Sequence, residues 1–239
     1  MTKKAILDTE QFRLIDSLVR HFVKNKELFE MALNTMHGYV TISKGLKPYI
    51  HTIKARIKDP EHLKDKLIRK ATEAKKAGAP FNITKENLFT VINDLVGLRI
   101  IHLHTRQIEQ INTQLKRILK LQQLQVIDGP TARTWDDEFR AYFESIGIKT
   151  LPNPNMYTSV HYIIKYNPRI TCEIQVRTLM EEVWGEVDHS INYPHKSTSL
   201  PVREQIKTLA RVTSGCSRLV DSIFSSHNVR VSRKKKKKK

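Results

Sequence analysis

Apolar residues recur at intervals of three and four in some stretches and at every second position in others. The change of period marks out the elements. From residue 8 to 37 the pattern is helical, carried by Phe12, Ile15, Leu18, Val19 and Phe22 and then by Leu28, Phe29, Ala32, Leu33 and Met36. Asp8 and Gln11 have the spacing of a capping pair, and Asn25-Lys26 is a point where the helix can break. Tyr49–Lys58 reads as short and extended. Asp59-Pro60 predicts a cap followed by proline at the first helical position, opening a helix that runs to about Ala77 and stops at Gly78. A loop at Ala79-Pro80 precedes a short helix over Thr84–Asn93. Asp94–Thr105 (DLVGLRIIHLHT) is apolar and partly β-branched, which predicts a strand with an acid at its start.

Ile108–Gln123 is an amphipathic helix, Asp128-Gly129-Pro130 a turn, and Pro152–Asn155 a loop. Between them, Thr134–Phe143 predicts a helix whose first turn holds Asp136, Asp137 and Glu138, where the helix dipole favours acids. Thr158–Tyr166 and Ile170–Thr178 flank Asn167-Pro168 as a hairpin would. A helix over Leu179–Ile191 leads to a loop at Tyr193-Pro194-His195. Pro201 opens a last helix carrying Ile206, Leu209, Val212, Cys216, Leu219, Ile223 and Phe224. No internal repeat is present. The economical reading is one α+β domain with helical extensions at both ends.

Composition narrows the class. The chain has 239 residues, 39% of them hydrophobic, enough for a buried core. No apolar run approaches the length needed to cross a bilayer, and Met1-Thr-Lys-Lys does not begin a signal peptide. Cys172 and Cys216 form neither a disulfide framework nor a metal-ligand spacing, so a reduced, cytoplasmic compartment is expected, with no membrane partner. The formal net charge of +18 is uneven. Eight basic residues lie from Arg230 onward without an acid, and residues 44–76 hold eleven basic residues against four acidic ones. The rest of the chain is nearly balanced.

The strand Ile170–Thr178 is the most informative segment. Side chains alternate, so Cys172, Ile174 and Val176 point one way and Glu173, Gln175 and Arg177 the other. An acid, an amide and a base in line suit a polyanionic ligand, although a solvated sheet face would look the same. Asp94 begins the other strong strand. Two carboxylates at neighbouring strand ends suit Mg²⁺ in phosphoryl transfer, whereas a lone Asp there serves equally as a cap. Ser159, His161 and Lys165 share a face, and hairpin pairing brings His161 beside Glu173. Other chemistries are set aside. There is no GxGxxG or P-loop, no HExxH, no GxSxG and no HD dipeptide, and His102 and His104 lie on a mostly apolar strand as core or rim residues.

Four segments then occur in a telling order: Arg56-Ile-Lys58, Asp94-Leu-Val-Gly-Leu-Arg99-Ile100, Tyr157-Thr-Ser159-Val-His161-Tyr162 and Glu173-Ile-Gln175-Val-Arg177-Thr178. Together they resemble the synthetase domain of the RelA/SpoT family of alarmone ((p)ppGpp) synthetases, in its small single-domain form. The resemblance implies a mixed β-sheet flanked by helices, akin to nucleotidyltransferases. It also implies a division into an N-terminal helical extension (1–43), a synthetase core (44–195), a C-terminal helix (196–228) and a basic disordered tail (229–239). The family moves the β,γ-pyrophosphoryl group of ATP to the ribose 3′-oxygen of GDP or GTP.

Carried over by residue, Arg56 and Arg99 match the arginines on either face of adenine, a task that suits a planar guanidinium. Lys58 and Lys66 match residues near the ATP phosphates, and His161 matches a phosphate contact. Asp94 and Glu173 match the Mg²⁺-binding acids, and Glu173 also matches the activator of the attacking hydroxyl. Tyr157 matches the aromatic that stacks on the acceptor guanine. Asn155 matches a loop position beside it, and Gln175 and Arg177 fall in the acceptor and phosphate neighbourhood.

Where the family loop commonly reads Lys-Pro-Asn-Gly-Tyr, this chain has Asn153-Pro154-Asn155-Met156-Tyr157. A positive charge and a permissive backbone position are both lost. Position 62, often serine, is His62. The changed loop leaves the acceptor open. The candidates are GDP or GTP, the 3′ end of tRNA as in toxin members of the family, or a non-catalytic RNA-binding role. Homo-oligomers, an antitoxin partner and a further C-terminal region are also compatible with the resemblance. The lack of an HD-type hydrolase motif implies a chain that makes its product without degrading it.

Overall fold

A computed structural model describes residues 7–192 and 197–236, with side chains described through residue 227. The expected loop at Tyr193-Pro194-His195 lies outside the described residues. Helix α1 (Thr9–Lys24) opens with the Asp8 capping box: Asp8 Oδ1 accepts from the Gln11 amide and Gln11 Oε1 accepts from the Asp8 amide. The helix breaks at Asn25, whose side-chain amide donates to the His21 carbonyl, and α2 (Lys26–Thr41) continues beyond it. Phe12 points outward, while Ile15, Leu18, Phe22, Phe29 and Met36 are buried.

Strand β1 (Thr52–Ile57) leads to α3 (Pro60–Lys76), capped by Asp59. Gly78, at φ +64°, lets the chain turn away, as expected. Only one turn of the expected 84–93 helix forms, as α4 (Leu88–Val91). Asn87 prevents more: its side chain accepts from the Thr84 amide and donates to the Asn82 carbonyl, closing a turn instead.

The remaining elements are β2 (Val96–His102), α5 (Ile108–Leu121), β3 (Gln125–Thr134), α6 (Asp137–Ser145), β4 (Lys149–Pro152), β5 (Ser159–Asn167), β6 (Ile170–Thr178), α7 (Leu179–Asn192) and α8 (Leu200–Lys236). The six strands form one mixed sheet in the order β1-β2-β6-β5-β3-β4. The β2–β6 and β3–β4 pairs are parallel and the others antiparallel. The fold is therefore α+β with a mixed sheet, as the sequence led us to expect.

Four expectations need correction. Asp128-Gly129-Pro130 is not a turn but lies inside β3. Shifts of register on either side of Asp128 absorb the irregularity, and Gly129 takes φ +96°. Thr134 ends β3 rather than opening a helix, because Asp136 is the residue that caps α6. Pro152 belongs to the short strand β4 and not to a loop. The helix α8 carries on to Lys236, through the stretch expected to be a disordered tail. No glycine or proline follows Gly215 to stop it.

One face of the sheet packs against α1, α2, α3 and α5 in a single large core that includes Ile15, Phe29, Leu63, Ile111, Ile174 and Tyr162. Burial lifts the Tyr162 phenol, which donates to Asn112 Oδ1 at 3.0 Å. Helices α7 and α8 pack on each other, and α8 buries Ile206 and Ala210 while Val212, Leu219 and Ile223 stay exposed. His102 is buried, and His104 sits between Asp221 and the Phe224 ring, so both are structural. Both cysteines are free. Among the described residues no helix is long and apolar enough to cross a membrane.

Candidate active site

Strand pairing builds the site in two rows. Lys54 of β1 faces Arg99 of β2, Arg99 faces Gln175 of β6, and Gln175 faces His161 of β5. One step along, Arg56 faces Gly97, and Gly97 faces Glu173. Residues two apart on a strand share a face, so both rows look the same way. The Arg56 side chain lies over Gly97: a Cβ there would meet the Arg56 stem at 3.6 Å, an ordinary van der Waals contact. Helix α7 covers part of this face. Between them lies a cavity of about 580 Å³ lined by Arg56, Asp94, Arg99, Tyr157, His161, Glu173, Gln175 and Arg177, together with Trp184, Glu186 and His189 of α7.

Eight of the sequence-derived candidates thus share one cavity. Lys58 and Lys66 reach it through Asp94, at 2.9 and 2.8 Å from its two oxygens. Burial raises the Asp94 carboxyl, but the two lysines outweigh it and hold the group at about 2. Burial lowers Lys58 against the pull of Asp94. Asn155 is not brought in. It is exposed, and only its backbone amide is used, donating to Asn153 Oδ1.

Glu173 accepts at both oxygens, with Oε1 2.9 Å from His161 Nδ1 and Oε2 2.8 Å from the Gln175 amide. Burial pushes its carboxyl up, yet the His161 hydrogen bond and charge and the Gln175 amide hold it below its ordinary value. His161 Nε2 is buried without a hydrogen-bond partner. Two ionised carboxylates therefore face one cavity: Glu173 from β6, and Asp94 from the turn before β2, since the strand expected to begin at Asp94 begins at Val96. Among the described residues no three His, Cys, Asp or Glu converge as a closed metal site. The donor set instead fits Mg²⁺ in its usual style, with one or two carboxylates completed by substrate phosphates. The two ammonium groups at Asp94 already show how strongly that carboxylate draws cations.

Several residues were missed. Glu182 and Glu186, one turn apart on α7, hold the cations of the site. Arg99 Nη1 lies 3.0 and 3.1 Å from their carboxylates, and Lys54 Nζ lies 2.7 and 3.2 Å from them. Arg177 also donates to Glu182. Burial raises Glu182, and Lys54, Arg177 and Arg99 together bring it down to about 2. The i, i+4 acids were visible in the sequence, but their partners on β1, β2 and β6 were not. The departures in the loop also find explanations. Asn153 is buried, with its side chain donating to the Tyr157 carbonyl at 3.0 Å. Met156 adopts φ +62°, the left-handed conformation that glycine takes readily.

Comparisons with known proteins bear on the fold and the family. The crystal structure of small alarmone synthetase 1 from Bacillus subtilis bound to its product pppGpp superposes with a TM-score of 0.57 at 18% identity, covering 87% of this chain and 96% of that one. A GTP pyrophosphokinase family protein from Streptococcus pneumoniae gives 0.57 at 18% identity over 92% of this chain and 95% of its own. In sequence, the GTP pyrophosphokinase YwaC of Bacillus subtilis (strain 168) is 29% identical over 167 residues, 67% of this chain and 62% of its own length, so the match spans less than two thirds of that relative. The family model described as the region found in RelA / SpoT proteins matches residues 55–198, more than half of the chain. With this match over more than half of its length, the chain belongs to the RelA/SpoT family.

Proposed function

We propose that the chain is an ATP-dependent pyrophosphotransferase that moves the β,γ-pyrophosphoryl group of ATP to the ribose 3′-oxygen of GDP or GTP. The observation that carries this reading is the pair of ionised carboxylates, Asp94 in the turn before β2 and Glu173 on the neighbouring β6, in one cavity ringed by cations. Carboxylates facing a polyphosphate would only repel it unless a cation mediates. Mg²⁺ bound between Asp94, Glu173 and the phosphates would supply that charge neutralisation. Lys58 and Lys66 are one hydrogen bond from Asp94, so a triphosphate held beside Asp94 through a cation would meet both ammonium groups. Arg56 and Arg99 suit the adenine faces, and Tyr157 suits the acceptor base. In the reaction the 3′-oxygen attacks the β-phosphorus, the bond from that phosphorus to the α,β-bridging oxygen breaks, and AMP leaves. Glu173 takes the hydroxyl proton. Most of the rate enhancement comes from alignment and charge balance.

One observation favours a second acceptor. The loop before Tyr157 presents a buried amide, Asn153, where the family commonly has lysine, so it offers less charge to nucleotide phosphates. That leaves room for the 3′-terminal ribose of tRNA. The test offers ATP labelled at the β and γ positions to the purified protein with Mg²⁺ and, in parallel, GDP, GTP or deacylated tRNA. The proposal expects label on GDP or GTP, with AMP formed in equal amount. Label on tRNA alone would overturn it in favour of the second acceptor.

A further inference from the structure

The acceptor side of the cavity is built on a core of its own. Trp184, Ile206 and Ala210 form a buried cluster separate from the main core, and Met156, Tyr157, Trp135, Val202 and Leu209 pack against it. Trp184 is 3% exposed yet lines the cavity. Its ring lies 22° from the plane of Tyr157 with centroids 6.3 Å apart, an offset stack. Its indole N–H donates to the Ile206 carbonyl of α8 at 3.1 Å, which fixes the ring's orientation. The backbone beside Tyr157 is tied to the same helix as Trp184, since the Thr158 amide donates to Glu181 at 2.9 Å. Helix α8 is anchored in turn: Ser214 and Arg218 both donate to Asp136, and Ser217 and Thr178 share a hydrogen bond.

We infer that Trp184 is a positioning residue for the acceptor, and that α8 sets the angle of the acceptor-stacking Tyr157 through it. This deepens the proposed function and rests on it. Tyr157 stacks on Trp184 itself, whereas Arg56 and Arg99 stand on β1 and β2, and Arg99 is held by Glu182 and Glu186 of α7. The acceptor is thereby specified as a planar base, recognised by a ring whose tilt is fixed from α8. Donor affinity depends on the β1–β2 edge and on the acids of α7 that hold Arg99, and reaches the cluster only through that helix, so it changes less than acceptor affinity when the cluster is cut back.

The test measures binding of GDP and of a non-hydrolysable ATP analogue by titration calorimetry, with Mg²⁺, for the wild type and three full-length variants. Trp184→Leu removes the stack and weakens GDP binding about fivefold to tenfold, and weakens the ATP analogue by less than about twofold. Trp184→Phe keeps a ring but loses the bond to Ile206 and gives an intermediate loss. Ile206→Ala, at a residue that does not line the cavity, loosens GDP about twofold to threefold. Thermal melts show whether each variant is folded, and Ile206→Ala keeps the test decisive if Trp184→Leu does not fold. If the wild type binds both nucleotides and the folded variants lose both equally, or lose neither, the inference is overturned while the proposed function stands. If the wild type binds neither, the proposed function falls and the inference with it.

Discussion

Asp94 does two jobs at once, and its removal separates them. It is the partner of Lys58, which is 9% exposed, and of Lys66. Asp94→Ala leaves a buried ammonium without its counter-charge, which costs on the order of 3 kcal/mol, and also abolishes pyrophosphoryl transfer. Chemical denaturation of this variant tests the first effect, and unchanged stability would contradict the pairing. Glu181 carries a different signature. Burial raises its carboxyl to about 7 against the Thr158 amide and the Arg177 charge. In the unfolded chain it ionises near its ordinary 4.5, so between those values the folded state holds a proton that the unfolded state has lost. Stability therefore falls as pH rises through that window. Glu181→Gln, which still accepts from Thr158, removes the effect. The variant should exceed wild type by about 3 kcal/mol at pH 8 and nearly match it at pH 4.5. A constant difference across that range would contradict the assignment. Glu173, Gln175 and Arg177 were legible because a two-residue period is a local property of the strand. Glu182 and Glu186 were not, because what they do depends on where α7 docks over β1 and β2.

At the scale of elements, β3 shows why turn chemistry misled. Asp128-Gly129-Pro130 has the composition of a turn, yet the flanking residues pair with both β4 and β5, and those ladders keep the chain extended. Gly129 is required there. A Cβ at that position would lie 2.3 Å from the His161 carbonyl oxygen, and its φ of +96° disfavours other residues. Gly129→Ala therefore destabilises the fold by more than about 1 kcal/mol and displaces the strand that carries His161. A lowered melting temperature with reduced turnover in the surviving folded fraction is expected; wild-type values in both would contradict it. The helices α1, α3, α5 and α7 were readable from caps and periodicity, since Asp8, Asp59 and the apolar stripes act within a turn or two. The strand β4 was not, because it has only the four residues Lys149–Pro152 and no alternation to see.

For the whole molecule, the charge of +18 changes meaning once the partners are known. Within the basic segment 44–76, Lys54, Lys58, Lys64, Lys66 and Lys75 each pair with a carboxylate elsewhere in the fold. Their charge binds α3 to α1 and orders the cavity, so the segment is not a uniform basic face for a nucleic acid. The sheet then brings Arg56 and Arg99 from β1 and β2, Asp94 from the turn before β2, Glu173 from β6 and Tyr157 from the β4–β5 loop onto one surface. On this proposal the cavity transfers pyrophosphate and Glu173 drives the transfer. A single-turnover measurement of AMP formation from ATP, with GDP and Mg²⁺ both saturating, tests it most directly when wild type and Glu173→Gln are compared at equal nucleotide occupancy. The account predicts AMP and a 3′-pyrophosphorylated guanosine nucleotide in equal amounts from the wild type, and a loss of at least about a hundredfold in the variant. Equal rates in the two proteins, or AMP without the nucleotide product, would contradict it.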